Sequence, residues 1–422
     1  MRLHRPLSFA VRTCIVLGLL ACVYLAMKQG IAAWYFRRNA PDKIQTAMKL
    51  DPANPQYPDA LANLMHRYSD NANADEIVHL TKRATLLSPF DAHYWADLGS
   101  AYDWAGHPQE ARQAFEHARE LFPKSPEINW RLANFYVRNG LTDEALDSLH
   151  EVLLENPAAQ RQVFALAASA SPDNAAVLAH VLPPDSAVFF DYLDYQLQSK
   201  NLDGAEQTWA RILQLNLPFQ PKDAFPYLDA LIQKRDIDRL AESWSVLARR
   251  FPAKMGPRIS PSNLITNGDF RSDILNGGLA WRVLPVKGAV VSRRVQDSPD
   301  GAPSLQIEFD GTKNLDYEHV LQFVLVNPAT QYEFSADVRT QGITTDSGPR
   351  FQVLDAYDAR KLLVSSDSLV GTSAWSAQKL EFKTGPETRL LIVRIVRPMS
   401  QKFDNKIAGT MQITRVSLEP RK

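Results

Sequence analysis

Cysteine is almost missing from this sequence: its 422 residues include two, Cys14 and Cys22, both inside an apolar N-terminal stretch. The rest of the chain therefore holds no disulfide, thiolate zinc site or cysteine nucleophile. That absence fits either side of a membrane. Net charge is missing as well, since 47 Lys and Arg balance 47 Asp and Glu. No bulk field draws the chain to nucleic acid, which is not expected as a partner. Of nine histidines, eight lie in the N-terminal or helical part, and no H-E-x-x-H motif joins any of them. G-x-S-x-G, Walker and Rossmann glycine patterns are lacking too. The sequence thus predicts no catalytic residue, no metal and no cofactor. Acidic residues are plentiful in the C-terminal half, so counting alone leaves open a hydrolase with an unrecognised carboxylate pair. Asp346-Ser347-Gly348 reads as a turn.

What the chain does have is a period. Tyr68, Tyr102 and Tyr136 are 34 residues apart, as are Pro89, Pro123 and Pro157. The middle unit reads Trp95, Leu98, Gly99, Tyr102, Gly106, Ala111, Phe115, Ala118 and Pro123. Trp95, Leu98 and Tyr102 share one face of a first helix, and Ala111, Phe115 and Ala118 share one face of a second. Gly99 removes a side chain where two helices must come close. Pro123 ends the second helix, because it has no amide hydrogen and its ring clashes with the preceding turn. These positions resemble the tetratricopeptide-repeat pattern W-x2-L-G-x2-Y…A-x3-F…P.

The following unit keeps Leu132, Ala133, Tyr136, Gly140, Ala145, Leu149 and Pro157, with Val152 at a usual alanine position. The preceding one keeps Leu64, Tyr68, Ala84 and Pro89, with Met65 at the glycine position. Ala47, Leu50 and Pro52 imply half a unit further upstream. Repeats are therefore expected over 40–157. Ala205, Trp209 and Ile212, then Ala241, Ser245 and Ala248 before Pro252, extend the spacing as degenerate repeats over 158–252.

Such a solenoid implies a concave surface that binds a protein partner. Projecting the pattern places His66, His93, Asp103, Trp104, Trp130, Asn134 and Arg138 on that surface. Tryptophan and arginine are enriched among binding hot spots, which singles out Trp104, Trp130 and Arg138.

At the N-terminus, Arg2, His4, Arg5 and Arg12 precede an apolar run, Thr13–Met27, that ends at Lys28. If Lys28 snorkels, the span continues to Trp34, Tyr35 and Phe36, closed by Arg37 and Arg38. Residues 1–12 would be cytoplasmic and 13–36 a transmembrane signal-anchor. Two other readings stand beside it. Leu19-Leu20-Ala21-Cys22 resembles a lipobox, and a cleaved secretory signal has the same outline. Each reading puts the body outside the cytoplasm, and the signal-anchor places it at a bacterial inner membrane.

Prolines 252, 257 and 261 with Gly256 mark a linker over 253–261. Beyond it the pattern alternates, with strands expected at 319–326, 332–338, 351–357, 378–383, 389–396 and 411–418. Asn263–Phe270 followed by Trp281, then Pro328–Ala336, Ser373-Ala374-Trp375 and Ile413–Leu418, are similar to motifs of the jelly-roll carbohydrate-binding modules. That resemblance implies a glycan-binding β-sandwich over 262–422. Thr414 and Arg415 stand where the family carries an acidic pair, which argues against calcium. Trp281, Tyr317 and Tyr357 are the glycan-binding candidates, the last two because acidic residues flank them. Trp375 and Tyr332 are read as core.

The expected fold is multidomain α + β: a transmembrane helix, a tetratricopeptide α-solenoid and a jelly roll. The expected role is a non-enzymatic envelope scaffold in exopolysaccharide or cell-wall assembly. The alternative is an assembly factor whose sandwich is only structural.

Overall fold

The computed structural model describes residues 9–68, 73–255, 262–295, 298 and 301–421. Arg2, His4 and Arg5 lie outside the described residues, as does most of the expected linker, 256–261. The chain divides into two compact units, Met1–Tyr195 with Glu206–Leu217, and Gln196–Ala205 with Pro218–Lys422.

The helices run α1 Phe9–Phe36, α2 Pro41–Leu50, α3 Gln56–Tyr68, α4 Ala74–Leu87, α5 Ala92–Trp104, α6 Pro108–Leu121, α7 Pro126–Arg138 and α8 Thr142–Glu155. They continue with α9 Gln160–Ala170, α10 Asn174–His180, α11 Ser186–Gln198, α12 Leu202–Gln214, α13 Phe225–Lys234, α14 Ile237–Arg250 and the single turn α15 Pro252–Met255. Helix α1 is long and apolar enough to cross a membrane.

In the first unit the period becomes packing. Helices α4, α6 and α8 each end two residues before Pro89, Pro123 and Pro157. Asn73, Asp91 and Ser125 cap α4, α5 and α7 by accepting from a backbone N–H of the first turn, each such cap contributing about 1 kcal/mol. Gly106 and Gly140 turn the chain between paired helices at φ +80° and +70°, where glycine is free of the Cβ clash. Gly99 faces the Phe115 ring so closely that a Cβ would sit 2.7 Å from it. Phe115, Leu132, Phe135 and Tyr136 form one continuous core with Ala92, Ala96, Ala111 and Ala118.

In the second unit, ten strands make two five-stranded sheets. They are β1 Arg282–Val283, β2 Ala289–Arg294, β3 Ser304–Asp310, β4 Tyr317–Leu325, β5 Gln331–Ile343, β6 Arg350–Asp355, β7 Leu363–Ser365, β8 Gly371–Lys383, β9 Leu390–Arg397 and β10 Ala408–Pro420. One sheet has the order β1-β4-β9-β6-β7 and the other β2-β3-β10-β5-β8, with antiparallel pairing throughout. All six expected strands are present, and β1, β2, β3 and β7 are additional. Alternation sends Tyr332, Phe334, Ala336 and Val338 of β5 into the core against Ile307, Met411 and Ile413.

Arg397 is fully buried at the end of β9. It donates to the carbonyls of Leu315, Ser347 and Asn405 at 2.6–2.9 Å and to Asn314 Oδ1 at 2.7 Å. One guanidinium thus ties three loops at that end of the sandwich, and its desolvation lowers its pKa.

The expected boundary near residue 253 is not where the units divide, because α13 and α14 belong with the sandwich. Asp229 of α13 pairs with Arg282 at 2.5 Å and accepts from the Gly278 N–H. The Arg282 guanidinium lies 5.1 Å from the centre of the Phe323 ring. Asp238 of α14 pairs with Arg389 at 2.5 Å. Gly277 abuts Phe225 with no room for a Cβ. Helical periodicity to residue 252 said nothing of which neighbour those helices would choose.

Candidate functional site

The first helices of successive pairs, α3, α5 and α7, contribute unequally to a shared surface, α3 through His66 and α5 and α7 through several side chains each. A groove of about 680 Å³ opens there, lined by His66, Asp103, Trp104, Trp130, Arg131, Asn134 and Arg138 among others. Six of the seven residues projected onto the concave face therefore lie together. The His66 and Trp104 rings meet edge to face at 5.0 Å. Trp104 remains 44 % exposed, a large apolar surface left open to water. Arg138 donates to Asp103 across α7 and α5 at 2.5 Å, and Asn134 donates back to the Trp130 carbonyl at 2.8 Å. The groove thus offers indole faces beside a paired, partly exposed guanidinium. Indole and guanidinium groups are the side chains enriched among protein-binding hot spots.

His93 falls elsewhere. It is exposed beside Asp91 at 3.4 Å and Glu127 at 3.9 Å.

A polar network that the repeat pattern does not single out adjoins this groove. Arg131 pairs with Asp97 at 2.5 Å and with Glu127 at 2.7 Å. Asp59 accepts from Asn63 at 3.1 Å through one oxygen, while its other, buried oxygen has the Asp97 carboxylate as its neighbour. Burial, and then the neighbouring Asp97 carboxylate, push the Asp59 pKa up to about 8. Two carboxyls brought together away from water resist ionising together, which favours the protonated form of one of them. The period carried the signal for this network: Asn63, Asp97 and Arg131 are themselves 34 apart.

On the sandwich, the glycan candidates are corrected. Trp281 is 2 % exposed and packs on Phe270 at 5.6 Å. Tyr317 is 0 % exposed and lies against Phe309 at 5.4 Å. Neither ring has a face to offer a sugar. Tyr357 is part-buried, its hydroxyl donating to the Ile232 carbonyl at 2.8 Å and its ring lying 4.8 Å from the Arg235 guanidinium. It joins helix α13 to the sandwich. Trp375, read as core, is half-buried on the outer face of its sheet, where the Arg339 guanidinium lies 5.3 Å from the ring centre. Tyr332 is core, as expected. Among the described residues no group of three or more metal-ligating side chains comes together.

Residues 105–170 match the family model described as a tetratricopeptide repeat. No curated protein matches the chain. Among solved structures, the MamA protein is 17 % identical over 47 % of this chain and 98 % of its own, with a TM-score of 0.32. YrrB, described as a TPR protein with an unusual peptide-binding site, is 14 % identical over 46 % of this chain and 84 % of its own, at 0.28. A CBM4 structure is 15 % identical over 37 % of this chain and 99 % of its own, at 0.28. The family model thus covers the helices over 105–170, and the C-terminal domain is a two-sheet antiparallel β-sandwich.

Proposed function

We propose that the protein is a non-enzymatic, membrane-anchored scaffold of the bacterial envelope. Its repeat groove grips an extended segment of a protein partner, and its sandwich contacts a polysaccharide, as in exopolysaccharide or cell-wall assembly. The observation that carries this reading is the convergence of His66, Asp103, Trp104, Trp130, Asn134 and Arg138 on one groove. A photo-crosslinking residue at position 104 of the full chain tests it. The expected result is a discrete adduct that Trp130→Ala and Arg138→Glu both abolish. An adduct indifferent to both changes would place the partner elsewhere.

A second reading gives the sandwich a structural or protein-binding role only. The burial of Trp281 and Tyr317 and the docking of Tyr357 on α13 favour it. Titrating the full chain with a panel of bacterial polysaccharides separates the two, since only the first reading predicts saturable binding. Turnover of any of these polysaccharides would overthrow both.

A further inference from the structure

We propose that α1 is retained as one rod with two solvents: a bilayer around its first turns and the repeat array around its last. This rests on the membrane reading above and adds that the anchor is itself a structural helix of the array.

From residue 11 to residue 27 every position of α1 is exposed. Beyond Arg12 this stretch is apolar all round and uncovered by protein, which suits a lipid surround,. From Thr13 to Ile31 the rise is about 27 Å, close to the hydrocarbon thickness of a bilayer, with Lys28 near its far end,. Then the helix changes partner. Lys28, Ala32, Tyr35 and Phe36 follow the spacing of one helical face and turn away from solvent,. Ala32 is 0 % exposed and shares a core with Ile44 and Ala47 of α2 and with Tyr57 and Leu61 of α3. The Phe36 ring lies 5.0 Å from that of Tyr57. Helix α2 therefore has its missing partner, and the half unit legible in the sequence is completed by the end of the membrane helix.

On the outward side, Trp34 is 51 % exposed and the Arg38 guanidinium sits 3.7 Å from the centre of its ring. An aromatic with a cation beside it suits the headgroup layer. The array would thus begin at the bilayer surface without a flexible stalk.

The chain supplies its own probe, because its two cysteines both lie in α1. Full-length protein is isolated from carbonate-washed membranes, denatured, and titrated with maleimide-polyethylene glycol. Retention predicts two reactive thiols. None would overturn the proposal, whether α1 had been cut away or Cys22 had been processed and acylated. Two thiols on a protein that the carbonate wash releases would instead overturn the membrane reading. The shared-helix part has its own readout in detergent-solubilised full chain. Phe36→Ala should lower the array's melting temperature by at least about 2–4 °C, and Phe36→Leu should recover most of that loss. An unchanged melting curve for Phe36→Ala would mean that α1 is a mere tether.

Discussion

In the helical array, residues 34 apart do the same job even when they differ in kind. The Trp95 indole donates to the Pro89 carbonyl at 2.9 Å, and the Asn129 amide donates to the Pro123 carbonyl at 2.7 Å. In the sandwich, neighbours in sequence do opposite jobs. Tyr317 is buried whereas Glu318 projects into water and pairs with Arg394 at 2.6 Å. Partners there come from far away: β10 pairs with both β3 and β5. Location in the array is thus a matter of phase, and location in the sandwich a matter of parity and long-range pairing. The lesson for function is that a surface can be projected from a helical repeat, but an isolated aromatic on a strand cannot be placed by its flanking charges.

The strongest challenge to this contrast comes from the two cores. Phe115→Ala should cost the array about 3–5 kcal/mol, since it empties the space beneath Gly99. Chemical denaturation should show the helical transition moving while the sandwich transition stays. Coincident movement of both would mean that the array and the sandwich do not unfold separately.

Next in size is Arg397→Met. It should cost the sandwich about 3 kcal/mol or more, because several buried oxygens lose their donor together. A thermal shift of the β transition measures it, with little change expected in the groove adduct.

The third test uses pH. Asp59 has its pKa raised from the ordinary carboxyl range near 4 to about 8. Folding therefore favours the protonated form, and the stability this contributes is fully present below about pH 4 and lost as pH rises through 8. Wild type should lose stability across that window, by on the order of 2 kcal/mol once partial exposure is discounted. Asp59→Asn should flatten the slope and be the more stable form at pH 9. Unfolding midpoints at pH 5, 7 and 9 give the answer.

The smallest effects concern two tyrosines with opposite predicted signs. Tyr357→Phe loses a hydrogen bond to Ile232 and should cost about 1 kcal/mol. Tyr317→Phe removes a buried hydroxyl that has no partner, so it should be neutral or stabilising by about 1 kcal/mol. A loss on Tyr317→Phe would break the parity argument.

Much of the fold was legible because both patterns are local. The proline period marked the ends of α4, α6 and α8, and alternation found six strands. The groove was legible for the same reason, since one phase places Trp104, Trp130 and Arg138 on related turns. Asp59 and Asp97 do not stand out in the sequence, because a single acid on a helix looks solvated until its neighbour on the next helix pair is counted. The glycan candidates failed for a different cause. Asp316 and Glu318 around Tyr317 suggest a wet surface, yet on a strand the exposed residue next door argues for burial. A register shift between Tyr317 and Val320 compounds this, since it returns Val320 to the core out of step. Strand β3 was missed although Leu305, Ile307 and Phe309 alternate plainly. Which part of the sandwich α13 and α14 would cover depends on ion pairs such as Asp238–Arg389, across about 150 residues, that no local pattern announces.

That covering has a practical edge for anyone who divides the protein. Severing the chain in the proline-rich stretch after Phe251, the obvious place to cut, would strand Arg282 and Arg389 without their acids and strip Tyr357 of its acceptor. A sandwich released there would be soft at one end and sticky in solution, and its failure to bind a sugar would mean little. The trustworthy fragment starts upstream of Pro218, carrying its two helices with it.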